Sequence, residues 1–245
     1  MARRPTGRRS GRTPSPAEGR GPADGAVSGS TRDRIIAAFL GLLSEKSFES
    51  IGFADIAERA GVSLADMRDE FSSKLEIYAA HVKTIDRRVL TAGDDDMAEE
   101  SPRERLFDVL MRRLDAMAPH REAVRSLLRS VRRDPPLALA LNGLAVRSQQ
   151  WMLAAANIDS AGPRGVLRAQ GLAVLYAQVL RVWVDDDDPG LARTMAALDR
   201  GLGRGARWVA LLDDLCRFVP PRCPSLRRRR RSAEDDRPDE EPVTA

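Results

Sequence analysis

Histidine and cysteine, the residues that most often bind zinc, are few in this sequence of 245 residues. The two histidines, His81 and His120, and the two cysteines, Cys216 and Cys223, are too few for a zinc site or a disulfide framework. The sequence also lacks a glycine-rich phosphate loop and a serine, histidine and acid arrangement. We therefore expect a protein that is not an enzyme and that uses no cofactor and no metal.

Two runs of like charge are the densest groups of ionisable side chains. The four aspartates at 185–188 could bind a divalent cation, because carboxylates are hard oxygen ligands. Four consecutive side chains point in different directions, however, and a solvated acidic loop is the alternative. The run Arg227–Arg231 could contact DNA or anionic lipid, or could belong to a solvated tail.

The positive charge of the chain is concentrated at its two ends. The formal charge is +4 and the pI is about 9.6. Residues 1–30 contribute +4 and residues 220–245 contribute +1, so residues 31–219 carry −1. Both ends are poor in large apolar side chains, which predicts disordered tails, and residues 1–30 have no apolar stretch typical of a secretory signal. The basic pI is therefore weak evidence that the folded part binds nucleic acid.

Between the tails, apolar residues recur with the period of a helix. We predict an all-α fold of about nine helices, with Thr31 as the N-cap of the first and Phe218 near the end of the last. No apolar run approaches the ~18 residues of a membrane span. We therefore expect a cytoplasmic protein without stable membrane insertion. The later predicted helices begin near the following residues: Phe53, Leu64, Lys74, Pro102, Pro119, Leu137, Val166 and Leu191.

Two short predicted helices, at 53–60 and 64–71, form a helix-turn-helix pattern. Gly61 favours a sharp left-handed turn between them, and Ser63 is expected to cap the second helix. The second helix is then free to enter the DNA major groove with its N-terminal residues at base edges. Four apolar residues are predicted to pack the two helices together: Ile56, Val62, Met67 and Phe71.

This segment resembles the DNA-binding signature of the TetR family of transcriptional regulators. The resemblance is carried by DIAERAGVS at 55–63 and FSSK at 71–74, and it covers about residues 31–80. It implies an all-α homodimer that reads a double-stranded DNA operator with three N-terminal helices and binds a ligand in a helical body. It also implies, by position, that Lys74 meets a phosphate and that the DNA-binding residues are Gly52, Ser63, Leu64, Ala65, Arg68, Asp69 and Lys74.

Three features of the segment depart from the family pattern. Gly52 stands where the family often has a serine or threonine that caps the helix, and Arg68 replaces a common tyrosine. Three acids also make residues 63–74 net −1, although phosphate attraction supplies most non-specific affinity for DNA: Asp66, Asp69 and Glu70. The alternative is a fold of this type that no longer binds DNA.

The C-terminal half carries a second resemblance, to the lipid-binding accessory proteins of ubiquinone biosynthesis, which are TetR-like dimers without DNA-binding function. It rests on seven residues at matching spacing: Tyr176, Asp186, Pro189, Thr194, Leu198, Asp199 and Arg200. The resemblance implies a body that holds an isoprenoid or another apolar molecule. From the residues alone, mixed large and small side chains can leave a pocket or pack as a plain core. The candidate pocket residues are Trp151, Met152, Tyr176, Leu180 and Trp183.

We accordingly expect four segments: a tail at 1–30, a helix-turn-helix domain at 31–78, a ligand-binding and dimerisation body at 79–219, and a charged tail at 220–245. The expected function is that of a TetR-like transcriptional regulator, a repressor controlled by a small apolar effector. The alternative is a lipid- or isoprenoid-binding accessory protein of quinone biosynthesis with a vestigial helix-turn-helix.

Overall fold

The computed structural model describes residues 29–92 and 99–218, and within these ranges the chain forms nine α-helices and no β-strand. The all-α prediction is confirmed, whereas both predicted tails lie outside the described residues except for residues 29 and 30. No helix in the described ranges combines the length and apolarity needed to cross a bilayer. The helices are α1 (Thr31–Glu45), α2 (Phe53–Ala60), α3 (Leu64–Glu70), α4 (Lys74–Thr91), α5 (Pro102–Met117), α6 (Arg121–Val131), α7 (Pro135–Ala155), α8 (Gly162–Trp183) and α9 (Ala192–Phe218).

Side-chain caps explain where the first helices begin, because a hydroxyl that accepts a backbone N–H satisfies one of the unpaired donors of the first turn. The prediction of Thr31 as the N-cap of α1 is wrong by one residue, since the Ser30 hydroxyl accepts from the Asp33 N–H at 3.2 Å. Ser63 caps α3 as predicted and accepts from the Asp66 N–H at 3.0 Å.

Prolines account for the largest differences between predicted and observed helix starts. Gly162 and Pro163, which we predicted as a turn before a helix at Val166, form the first turn of α8. Pro135 likewise opens α7, two residues before the predicted start. A proline has no backbone N–H, but the N–H groups of the first helical turn have no partner within the helix. A proline can therefore stand inside the first turn of a helix as readily as before the helix.

Buried apolar side chains form two clusters. The first joins α1, α2, α3 and the start of α4, with Phe39 and Ile56 completely buried at its centre. The second joins the rest of α4 with α5, α7, α8 and α9. Helix α6 belongs to both, because Ala123 and Leu127 lie in the first cluster and Val124 lies in the second.

Polar contacts tie α6 to elements on both of its sides. The Ser126 hydroxyl donates to the carbonyl oxygen of Lys46, after α1, at 2.8 Å. The Arg121 guanidinium donates to the carbonyl oxygen of Asp186, between α8 and α9, at 2.9 Å. Helix α6 thus connects the loop that precedes α2 with the turn that precedes α9.

Candidate nucleic-acid interface

The turn between α2 and α3 has the left-handed geometry predicted for it. Gly61 has φ of +62° and ends α2 by donating its N–H to the Glu58 carbonyl at 3.1 Å. The N–H of Val62 donates to the Ala57 carbonyl at 3.0 Å. A residue with a Cβ is disfavoured at such a φ, so Gly61 allows α3 to begin within three residues of the end of α2.

Helix α1 holds α2 and α3 in a fixed orientation through two arginines. Arg59 of α2 donates to both carboxylate oxygens of Glu45 in α1, at 2.7 and 2.8 Å. Arg32 of α1 lies 3.3 Å from the Glu70 carboxylate of α3, and its guanidinium lies 4.3 Å from the ring centre of Phe71. The contact of Arg59 is planar and two-pronged, and contacts of this kind fix direction as well as distance.

Helix α3 presents an exposed face along its length. Met67 is only 2% exposed and faces the core, whereas Leu64 is 57% exposed although it is large and apolar. Ala65, Arg68 and Asp69 are also exposed. The structure therefore brings together five of the seven DNA-binding residues that the sequence analysis named, namely Ser63, Leu64, Ala65, Arg68 and Asp69.

Two of the three acids of α3 have partners within the chain. Asp66 accepts from the Ser63 hydroxyl at 2.7 Å, and this bond holds the pKa of Asp66 below its usual value. Glu70 forms the ion pair with Arg32. Asp69 has no hydrogen bond or ion pair with any other residue that the structure describes. All three carboxylates keep their negative charge, but only the side chain of Asp69 lacks a partner among the described residues.

The remaining two predicted residues lie at the ends of α2 and α4. Gly52 precedes α2, and its N–H donates to the Asp55 carboxylate at 3.1 Å. Lys74 donates from Nζ to the carbonyl oxygens of Phe48 and Ile51, at 2.7 and 2.9 Å. Partial burial lowers the pKa of Lys74. The ammonium thus holds the loop between α1 and α2, and only its remaining N–H is left for the predicted phosphate contact.

The aspartate run at 185–188 uses its carboxylates in separate structural contacts. Asp186 is buried and accepts from both the N–H and the hydroxyl of Thr194, at 2.8 and 2.6 Å. Asp185 is exposed and lies 3.4 Å from Arg125. Across residues 29–92 and 99–205, no three histidine, cysteine or acidic side chains are grouped so that they could hold a metal ion.

The structure places the candidate pocket residues of the body in two different environments. Met152, Tyr176 and Trp183 lie in the same buried cluster, and Leu180 packs against it. Trp151 is 60% exposed and does not join them. Neighbouring residues of a helix point about 100° apart, so the burial of Met152 turns the side chain of Trp151 outward. The prediction that Trp151 shares one pocket of this protomer with the other four candidate residues was therefore wrong.

Five of the seven residues of the second resemblance have structural roles in this chain. Tyr176 and Leu198 are core residues. Asp186 and Thr194 form the buried contact before α9, and Asp199 accepts from Arg103 of α5 at 2.6 Å. These contacts hold the helices of the body together.

The body also contains a buried polar network that was not predicted from the sequence. Arg113 of α5 lies 3.2 Å from the Asp86 carboxylate of α4 and donates to the Ser148 hydroxyl of α7 at 2.8 Å, while Ser148 donates to Asp86 at 2.8 Å. The Arg113 guanidinium also lies 5.0 Å from the ring centre of Tyr176 in α8. In the sequence, Asp86 interrupts the apolar stripe that contains Val82 and Val89, and this interruption was the signal that could have indicated a buried charge.

Solved structures with the same architecture are TetR-family transcriptional regulators. One from Nitrosomonas europaea shares 26% identity at a TM-score of 0.57 and covers 73% of this chain and 99% of its own. One from Rhodococcus sp. RHA1 shares 22% identity at a TM-score of 0.53 and covers 71% of this chain and 95% of its own. No protein-family model and no curated protein matches the sequence. The chain has the fold of the TetR-family regulators.

Proposed function

We propose that the protein is a homodimeric transcriptional repressor that binds an operator through α3 and is released by a small apolar effector. The observation that carries the proposal is the exposed face of α3. It displays Leu64, Ala65, Arg68 and Asp69 on a helix fixed by Gly61 and by α1. Leu64 is large, apolar and exposed on this face, and apolar side chains contact thymine methyl groups in the major groove.

In this proposal residues 31–78 read DNA, and residues 79–219 form the dimer and bind the effector. The N-terminal residues 31–78 carry six basic and nine acidic side chains, a net of −3. Non-specific affinity for DNA must then draw on other charges. The six arginines of residues 1–30 precede α1 directly in the sequence. We therefore assign them an electrostatic contribution to DNA binding, which takes place in the cytoplasm.

The proposed dimer uses the exposed side of α8. Leu167 and Val174 are large, apolar and exposed, and with Gly171 they follow the four- and three-residue spacing of one helical face. Light scattering of the purified protein should give the mass of two chains, and Val174→Glu should shift it toward one. A monomeric wild type at micromolar concentration would contradict the dimer.

The effector is proposed to bind near Tyr176 and Trp183. Both residues are buried, and neither the Tyr176 hydroxyl nor the Trp183 indole N–H has a hydrogen-bond partner in the described part of the chain. Buried polar groups ordinarily have partners, so these two atoms support a mostly apolar ligand with one polar group. The ligand would act by binding one dimer geometry more tightly than the other.

Gel-shift assays with DNA flanking the gene test DNA binding directly. The wild type should give a specific band that weakens steeply with salt. The double variant Leu64→Ala/Arg68→Ala should lose it. Leu139→Ala removes a side chain that is equally large and exposed on α7, and it should bind as the wild type does. Absence of a specific wild-type band at low salt would refute the proposal.

Two further assays separate the finer claims. A promoter reporter should rise when the gene is deleted if the protein represses, and a fall would make it an activator. Native mass spectrometry of the purified protein tests the accessory-protein alternative. A stoichiometric isoprenoid or quinone lipid, together with no DNA binding, would favour that alternative over the regulator.

A further inference from the structure

The exposed face of α3 contains one acid whose carboxylate has no hydrogen bond or ion pair with another described residue. Asp66 is engaged in the capping box with Ser63, and Glu70 is paired with Arg32. Asp69 is exposed and makes neither contact. The presence of Asp66 and of Glu70 is thus explained by contacts within the chain, whereas no such contact explains the presence of Asp69.

Asp69 lies on the side of α3 that faces away from the core and is the last residue but one of the helix. Ala65 and Asp69 are one helical turn apart and lie opposite Met67, which is 2% exposed and packed into the core. Leu64 and Arg68 flank them on one side. When a recognition helix lies in the major groove, the residues opposite its buried side are those that reach base edges.

The chemistry of a carboxylate at this position restricts what it can bind. An ionised carboxylate only accepts hydrogen bonds, and it is repelled by the DNA phosphates. In the major groove, donors are found on the N4 amino group of cytosine and the N6 amino group of adenine. The adenine amino group adjoins the acceptor N7, which repels a carboxylate, whereas the cytosine amino group adjoins a C–H.

We propose that Asp69 selects a cytosine in each half of the operator by accepting a hydrogen bond from its N4 amino group. This inference rests on the proposed function, because it names the base that one residue of the same surface reads. The cost of placing a negative charge near phosphates is then offset only at the correct base. Asp69 thereby weakens binding to all other DNA and raises the specificity ratio.

Asp69→Asn separates this role from a general charge effect. The variant keeps the size of the side chain, but an amide both donates and accepts and pairs with N6 and N7 of adenine. The preference at the contacted position should therefore change from cytosine to adenine, while non-specific affinity should rise. Glu70→Gln removes the same charge from the neighbouring residue, and it should raise non-specific affinity without altering the preferred base.

The test is selection of binding sites from a randomised duplex library by the full-length wild type, Asp69→Asn and Glu70→Gln. Their helical content and melting temperatures are compared by circular dichroism. The wild type should enrich a cytosine in each half-site, and replacing that C·G pair with T·A should weaken binding about tenfold. Asp69→Asn should enrich adenine there, and Glu70→Gln should keep cytosine.

The possible failures are distinguishable. A specific wild-type motif that is unchanged in Asp69→Asn would overturn the assignment of Asp69 and leave the proposed regulator intact. The same holds if Glu70→Gln changes the preferred base in the same way as Asp69→Asn. If the wild type enriches no motif even at low salt, the proposed function and this inference both fail.

Discussion

The buried pair of Asp86 and Arg113 allows a quantitative test of how the body is held together. Its side chains are 10% and 6% exposed, and the closest nitrogen and oxygen are 3.2 Å apart. Asp86→Asn keeps the shape of the side chain, so no cavity forms. It removes the charge that compensates the Arg113 guanidinium, which then remains buried without a counter-ion.

The size of the effect follows from this geometry. At 3.2 Å and an effective dielectric constant of about 20, the attraction of the two charges is about 5 kcal/mol. Removing one partner of a buried pair typically costs about 3–5 kcal/mol, because the other charge stays in a poorly solvating environment. We expect the free energy of unfolding of Asp86→Asn to be lower by about 3–5 kcal/mol. That is a large part of the ~5–15 kcal/mol that stabilises a typical protein.

The assay is urea unfolding followed by far-ultraviolet circular dichroism, at one protein concentration because association alters apparent stability. Asp199→Asn is the matched control. Asp199 and Arg103 are only 2.6 Å apart, closer than the buried pair, but their side chains are 58% and 46% exposed. Water screens such a pair, so the control should lose less than about 1 kcal/mol.

Equal losses of unfolding free energy in the two variants would refute the reasoning, because they would show that burial does not determine how much an ion pair stabilises the protein. A loss below about 1 kcal/mol for Asp86→Asn would have the same meaning. The double variant Asp86→Leu/Arg113→Met provides a second check. With both charges replaced by apolar groups, most of the stability lost in Asp86→Asn should return.

Three other substitutions have definite expected outcomes. Burial lowers the pKa of His81 to about 4, below its unfolded value of about 6.5; the unfolded chain therefore binds the proton first, and stability should fall by up to about 3 kcal/mol as pH drops from about 6.5 to 4. His81→Phe should flatten that pH dependence in urea titrations, and an unchanged slope would assign it to other groups. Lys74→Met removes two hydrogen bonds to loop carbonyls and should lower the free energy of unfolding by about 1–3 kcal/mol; unchanged stability with weakened DNA binding would instead favour a phosphate contact. Gly61→Ala forces a Cβ into the left-handed conformation and should cost about 1–2 kcal/mol in thermal melts, whereas a stabilised variant would contradict the turn geometry.

The elements that the sequence predicted well depend on neighbours in the chain. The helix periodicity, the Gly61 turn and the Ser63 cap are all determined within a few residues, and each is confirmed. The contacts that change the meaning of the candidate site are distant in sequence. Arg32 and Glu70 are 38 residues apart, and Lys74 reaches back 26 residues to the Phe48 carbonyl. No local pattern shows that an acid of α3 is already paired or that a lysine is already bound.

The misplacement of Trp151 has a similar origin. A helix that is apolar on most sides, such as α7, gives no clear phase from which to read its buried face. The side of α7 that faces the core, marked by the buried Met152, is determined only by the packing of α7 against α8. The buried network of Asp86 and Arg113 likewise needs four helices to assemble before either residue has its partner.

The position of α6 in both hydrophobic clusters determines how the protein unfolds. Ala123 and Leu127 complete the first cluster, and Val124 completes the second. Ser130 adds a hydrogen bond from the Phe48 N–H at 3.2 Å. Because neither cluster can lose α6 without exposing apolar surface, we expect the described helices to unfold as one cooperative unit rather than two. A fragment ending at residue 78 would lack part of its own core, so the helices that display Asp69 depend for their stability on residues well beyond it.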